Sequence, residues 1–409
     1  MNRGEAHALL RDCFRAGVAA VDPERAVTAS LDPNWFESPP VVLALGKAAP
    51  AMARGVATAL SLERLEGVVV SNHEDRVPDG LRLILGDHPV PGAGSIEGGS
   101  ALLDVARRLG DEDAAVALIS GGGSALAEVP LPGLDIDDIA RTNEVLLVCG
   151  ADIKQTNVIR QRLSVLKGGG LAAAVVPARL VTLIVSDVVG DSPEVIASGP
   201  TVQSTSSPTA ALDVVTDLGI SGRLPTSVMD VLRRPREAQA ETVVQRLSVI
   251  AGSSAAAHAA AAAAGRRGLP ATVADTRLVG DVAVAAGEAL ARSRGSVSIF
   301  AGETTVNVVG SGTGGRNHEA ALVAAMILEG RSDVFFLAAG TDGIDGTTAA
   351  AGAIVDGTTL HRARALGLDP IAALEDNDSG SFFDALGDQI VTGPTGTNVG
   401  DLWMVLRSV

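Results

Sequence analysis

The stretch AAVALISGGGS, residues 114–124, decides the architecture. An uncharged run that is apolar at successive positions, rather than at alternate ones, marks a strand covered on both faces. It ends on three glycines, which favour a sharp turn at the strand's carboxyl end. Similar short runs occupy 41–45 (VVLAL), 67–71, 81–85 and 180–186, with helix-length segments between them. Buried strands alternating with helices need crossover connections, and these give a parallel sheet. A second alternating series follows: strand 248–251, helix 255–267, strand 296–300, helix 317–327 and strand 334–338.

The N-terminal segment carries Leu10, Phe14, Val18 and Val21 at helical spacing, an amphipathic helix. Residues 233–241 (RRPREAQAE) are charged and interrupted by Pro235, as a linker would be. The expected domains are therefore 1–235, Rossmann-like, and 236–409, a smaller α/β domain.

Composition excludes several functions. The 409 residues hold 32 Lys and Arg against 48 Asp and Glu, a net charge of −16, with 2% aromatics. Such a chain lacks both the basic stripe and the stacking rings of a nucleic-acid surface. Any anionic ligand must be held by local cations and backbone N–H groups. Two cysteines, Cys13 and Cys149, make neither a disulfide framework nor a thiolate metal cluster, and suit the reducing cytoplasm. The N-terminus has charges where a signal peptide is apolar, and no run of about 18 apolar residues suggests a membrane span.

Four glycine-rich turns follow apolar runs. Gly46-Lys47 is not a Walker A loop, since Val41 and Ala48 stand where that pattern needs Gly and Ser or Thr. It places a cation at the carboxyl end of the sheet, where α/β ligands bind. Gly121, Gly122, Gly123 and Ser124 form a turn whose N–H groups could approach an anion. Asn157, Arg160, Ser164 and Lys167 share one face of an expected helix that stops at Gly168. The segment 310–315 contains GxGxxG, but the acidic residue about 20 positions on, Asp333, precedes a strand instead of ending one. Arg316 beside Gly312, Gly314 and Gly315, followed by Asn317, fits a phosphate clamp better than a dinucleotide site. Asp187, Asp191 and Asp342 stand in turns after strands, where carboxylates can hold Mg²⁺. The six histidines lack metal-ligand spacing, and residues 122–126 lack the closing glycine of a hydrolase elbow.

Eight segments in this order resemble the type-II glycerate kinases, the glycerate 2-kinase family with its MOFRL domain. They are LALGKAAPAMA (43–53), DHPVPGAGS (87–95), LISGGGSAL (118–126) and GADIKQTNVIRQRLSVLKGGGLA (150–172). SDVVGDSPEVIASGPT (186–201), GETTVNVVGSGTGGRNHE (302–319), GTDGIDG (340–346) and TGPTGTNVGDL (392–402) follow. The chain departs from that pattern at Gly92, Thr347, Ala349 and Gly380.

The resemblance implies transfer of phosphate from ATP to the 2-hydroxyl of D-glycerate with a divalent cation, and two α/β domains closing on a cleft. The family's motif cations fall on Lys47 and Arg316, expected to touch the transferring phosphoryl group. Asp187 is the favoured acid, as Mg²⁺ ligand or as acceptor of the hydroxyl proton, with Asp191 and Asp342 as further metal ligands. Gly121–Ser124, Gly312, Gly314, Gly315 and Asn317 would cradle phosphate or carboxylate, and Arg160 and Lys167 would neutralise it. Small-molecule substrates are the expected partners, on a monomer or homodimer. The rival readings are a nicotinamide-dependent hydroxypyruvate reductase and a non-catalytic module that binds phosphorylated metabolites.

Overall fold

The computed structural model describes residues 1–235 and 244–408. The expected linker 233–241 therefore lies, from residue 236 on, outside the described residues. Twelve strands are formed among the described residues. They are β1 (Val41–Leu45), β2 (Arg64–Ser71), β3 (Asp79–Leu85), β4 (Ala114–Ser120), β5 (Arg179–Val185), β6 (Val244–Ala251), β7 (Ala271–Leu278), β8 (Val297–Gly302), β9 (Val334–Gly340), β10 (Gly352–Asp356), β11 (Gln389–Ile390) and β12 (Asp401–Arg407).

The first six make one sheet in the order β3-β2-β1-β4-β5-β6, with parallel register from β3 through β5. This is the strand order of a dinucleotide-fold sheet, and its order reverses between β1 and β4. Every residue of β4 is buried, as a strand covered on both faces requires. A separate helical layer packs through Ile139, Leu146, Ile159, Leu163, Val215, Val228 and Leu232.

The other sheet runs β11-β10-β9-β12-β8-β7 and is mixed. β7 and β8 are parallel, whereas β12 lies antiparallel between β8 and β9. Its side chains alternate between two cores. Phe300, Phe336, Ala338, Trp403 and Val405 enter one. Ile299, Leu337, Leu402 and Met404 enter the other, beneath the helices Arg3–Ala20 and Ser253–Arg266. No described helix is long and apolar enough to cross a membrane.

Contacts divide the chain at places other than 235/236. One compact unit comprises Pro23–Ser186 and Ser192–Ile250; the other comprises Met1–Asp22, Asp187–Asp191 and Ala251–Val409. Two physical causes shift the division. β6 joins the first sheet beside β5, and the N-terminal helix buries Leu10 and Phe14 against the second unit's core. Burial of Phe14, 1% exposed, gives a test of that docking. Phe14→Ala should destabilise the second unit by about 3–5 kcal/mol. In a Trp35→Phe background, urea unfolding followed by the emission of the buried Trp403 reads that loss.

Candidate active site

In the first unit, the reversal of strand order places the turns after β1 and β4 side by side. Lys47 N–H donates to Gly121 O at 2.9 Å, and Ala48 N–H donates to Ser120 Oγ at 3.0 Å. Gly46 has φ +127°, and a Cβ there would lie 2.2 Å from Ser120 Oγ, so only glycine allows this junction. The Lys47 side chain is exposed and runs past Gly122: a Cβ on Gly122 would sit 3.1 Å from Lys47 Cγ and Cε. Burial and the nearby Lys47 charge both lower the pKa of His88, so its imidazole favours the neutral form. The helix Gly123–Leu126 is only four residues long. It offers little of the dipole expected to bind an anion.

The helix carrying Arg160 ends earlier than its spacing suggests. It spans Ile153–Leu163, Ser164 is extended, and Val165 N–H donates to Val129 O. Asn157, Ser164 and Lys167 thus do not form one continuous helical face, and all three are buried. The Lys167 ammonium is paired with the Glu128 carboxylate; each side chain is 2% exposed. Burial lowers the pKa of both Lys167 and Arg160, and the Glu128 carboxylate opposes it at each. Arg160 Nε donates to Asn143 Oδ1 at 2.7 Å. Two cations against one carboxylate leave this cluster with a net positive charge. Lys167 is already neutralised, and Arg160 carries the excess.

In the second unit, β12 runs opposite to β8 and β9, so Asp401 at its start pairs in register with Gly302 and Gly340 at their ends. Arg316 opens the helix Arg316–Leu328 at the same edge. Its Nε donates to both Asp401 oxygens at 3.0 and 2.8 Å, and its Nη1 meets Glu303 Oε1 at 2.9 Å. Burial alone would lower the Arg316 pKa, but Asp401 and then Glu303 hold it above its ordinary range. Burial pushes Asp401 up to about 6, against the pull of Arg316 and Asn317, while Asp345 pushes the same way as burial. Asn317 Nδ2 donates to Asp345 and Asp401, and Trp403 Nε1 donates to Asn317 Oδ1 at 2.8 Å. Asn317 therefore bridges Asp345, Asp401 and Trp403 inside the protein.

In the segment 310–315 the N–H groups of residues 310–314 bond to protein oxygens: Gly310 to Asn377 Oδ1, Ser311 to Asp376 Oδ1, Gly312 to Asp376 O, Thr313 to Asp378 Oδ1 and Gly314 to Thr347 Oγ1. Asp345 Oδ1 and Oδ2 take the Asn317 and His318 N–H groups at the helix start. The glycines are needed because neighbouring chain fills their Cβ space: Cβ atoms at Gly312 and Gly315 would lie 2.4 Å from Asp378 Cβ and 2.5 Å from Asp345 Oδ1.

Asp342 follows β9 and accepts from Ile344 N–H, and burial raises its pKa. Asp187 and Asp191 follow β5 and group with the second unit. Among the described residues, no three His, Cys, Asp or Glu converge as a metal site.

Sequence reading missed Glu128, Ser198 and Asp401 as site residues, whereas Asp345, beside Asp342 in the turn 340–346, was already a candidate carboxylate. Asp401 stood in the motif at 392–402 and Ser198 in that at 186–201, but only the fold gives them partners. The Glu128–Lys167 pair also has a consequence for stability. Glu128→Gln or Lys167→Met should each cost about 3–5 kcal/mol, because either leaves a buried charge unpaired. The double variant Glu128→Leu/Lys167→Met should recover part of that loss in urea unfolding followed by circular dichroism.

Residues 9–233 match the domain described as "Domain of unknown function (DUF4147)", and residues 296–401 match the MOFRL family. A "Putative hydroxypyruvate reductase" of Agrobacterium vitis is 41% identical, over 99% of this chain and 95% of its own. A "D-glycerate 2-kinase" of Thermotoga maritima is 37% identical over 96% of each chain. The crystal structure of a glycerate kinase from Thermotoga maritima superposes with a TM-score of 0.90, at 35% identity, over 99% of this chain and all of that one. With both sheets and both domain matches accounted for, the chain belongs to the type-II glycerate kinases, the MOFRL family of glycerate 2-kinases.

Proposed function

We infer that the chain transfers the γ-phosphoryl group of ATP to the 2-hydroxyl of D-glycerate, giving 2-phosphoglycerate and ADP. One observation carries this: an exposed lysine, Lys47, stands at the switch point of the first sheet, where a dinucleotide fold has a glycine fingerprint. The full-length likeness to a D-glycerate 2-kinase supports it. The reductase reading, suggested by the name of the Agrobacterium relative, needs a GxGxxG turn tight against a strand. Here residues 303–315 intervene between β8 and the helix, and the N–H groups that a pyrophosphate would need are committed to protein oxygens.

Phosphoryl transfer asks a protein mainly for positioning and charge stabilisation. The bond from the γ-phosphorus to the bridging oxygen of ADP breaks, and one to the glycerate oxygen forms. We assign Lys47 and Arg316 to the charge on the transferring group, Arg160 to the substrate carboxylate or a phosphate, and Asp187 to the departing hydroxyl proton. Lys167 instead holds Glu128 in place. A divalent cation is expected with ATP, and Asp187, Asp191 and Asp342 are its candidate ligands. Among the described residues they do not form a preformed cage of three convergent side chains. The cytoplasm suits a chain with two free cysteines.

Purified protein should form ADP from ATP and D-glycerate and should leave NADH unoxidised with hydroxypyruvate. NADH oxidation without ADP formation would reverse the assignment. Lys47→Ala and Arg316→Ala should each lower kcat about 10²–10³-fold with little change in glycerate KM. If both act on one phosphoryl group, the double variant should lose less than the product of the single losses. Exposed Lys154→Ala is the control and should be nearly neutral.

Asp401 adds a pH dependence. Above about 6 it is ionised and grips Arg316; below, it is protonated and the grip weakens. Glu303 and Asp345 also act on Arg316, and Asp345 on Asp401. The wild-type rate should therefore rise with pH through about 6. Asp401→Asn should flatten that limb and cut kcat about 10²-fold, since a misplaced group costs on that order.

A further inference from the structure

Three polar side chains behind the turn after β4 form a hydrogen-bond chain with a fixed direction. Asn157, 4% exposed, donates from Nδ2 to Val195 O at 3.2 Å. Its amide orientation is thereby set, and Oδ1 faces Ser198. Ser198, 0% exposed, donates from Oγ to that Oδ1 at 2.7 Å. A hydroxyl has one proton. The 2.5 Å contact between Ser198 Oγ and Ser124 Oγ must then take its proton from Ser124. Ser124 is half-buried, and with its proton given to Ser198 its oxygen can act only as an acceptor.

The surroundings hold Ser198 where it is. Ala197 and Ser198 have φ of 52° and 60°, left-handed values that non-glycine residues rarely adopt. Ser198 N–H donates to Val195 O, and Ser198 O accepts from Gly168 N–H and from Gln161 Nε2. Gly123 gives the segment room: a Cβ there would lie 2.7 Å from Ala197 Cβ. An inward-pointing hydroxyl is thus built into this turn.

Phosphate and carboxylate oxygens only accept, so they gain nothing from an oxygen without a proton. A ligand hydroxyl donates. We propose that Ser124 is a specificity residue that accepts a hydrogen bond from the non-reacting hydroxyl of the hydroxy-acid substrate, and that it is not a phosphate ligand. On the kinase reading, on which the substrate's identity rests, that group is the 3-hydroxyl of D-glycerate.

The test compares D-glycerate with D-lactate, which keeps the carboxylate and 2-hydroxyl but lacks the 3-hydroxyl. Calorimetric binding to wild-type protein, with a non-hydrolysable ATP analogue present, should favour glycerate about tenfold, the upper range for one hydrogen bond. Ser124→Ala should bring that ratio near one by weakening glycerate and leaving lactate and the ATP analogue unchanged. Ser198→Ala, which keeps Ser124 but frees its proton, should lower the ratio in part. An unchanged ratio in both variants, or a loss of nucleotide affinity in Ser124→Ala, overturns the proposal. ADP formation with D-glycerate is measured separately, so failure of the kinase reading is distinguishable from failure of this one.

Discussion

A strand covered on both faces leaves little place along its length for polar chemistry, and this constraint organises the molecule. β4, β9 and β10 are buried at every position. An unpaired polar group inside such a layer costs about 1–3 kcal/mol. Charge must therefore collect where strands end and backbone groups turn outward. Lys47 follows β1, Ser124 follows β4, Asp342 follows β9 and Asp401 begins β12. In the second unit the antiparallel β12 is what brings a carboxylate to the edge at which β8 and β9 finish.

The two edges balance their charges differently. Around Glu128, Arg160 and Lys167 the cations exceed the carboxylates. Around Arg316, the carboxylates of Asp401, Glu303 and Asp345 exceed the cation. In a chain of net charge −16, long-range attraction of an anion is unfavourable, and the cation-rich cluster is the local exception that composition demanded. Burial makes the exception effective: a surface pair is worth about 0–1 kcal/mol, whereas charges removed from water interact more strongly. The same burial raises Asp401 to about 6 although Arg316 touches it. Desolvation wins there because Asp345 adds a like charge and Arg316 is shared with Glu303.

How far the sequence could be read follows from the range of each interaction. β1 and β4 fall where their apolar runs placed them, because a short uncharged run between turns is local information. The helix before Lys167 was extended too far because its end is set by pairing with residues 129–131, a contact that helical spacing does not contain. β12 left no local mark that would place it between β8 and β9. The partnership of Asp401 with Arg316, 85 residues earlier, was invisible for the same reason. The N-terminal helix was legible as a helix, and its stripe announced burial without saying against what.

Glycine-rich stretches show why composition alone underdetermines function. Residues 121–123 and 310–315 look alike as sequence, yet the absent Cβ atoms serve opposite ends. At Gly122 the space is filled by the stem of an exposed lysine, a group free to meet a ligand. At Gly310 and Gly312 it is filled by the backbone of Asp376 and by Asp378, and the adjoining N–H groups are spent on the same turn. A glycine run that carries its neighbours' side chains outward can build a site. One that closes on the protein's own carboxylates shapes its own turn, and here that turn leads directly into the helix that begins with Arg316.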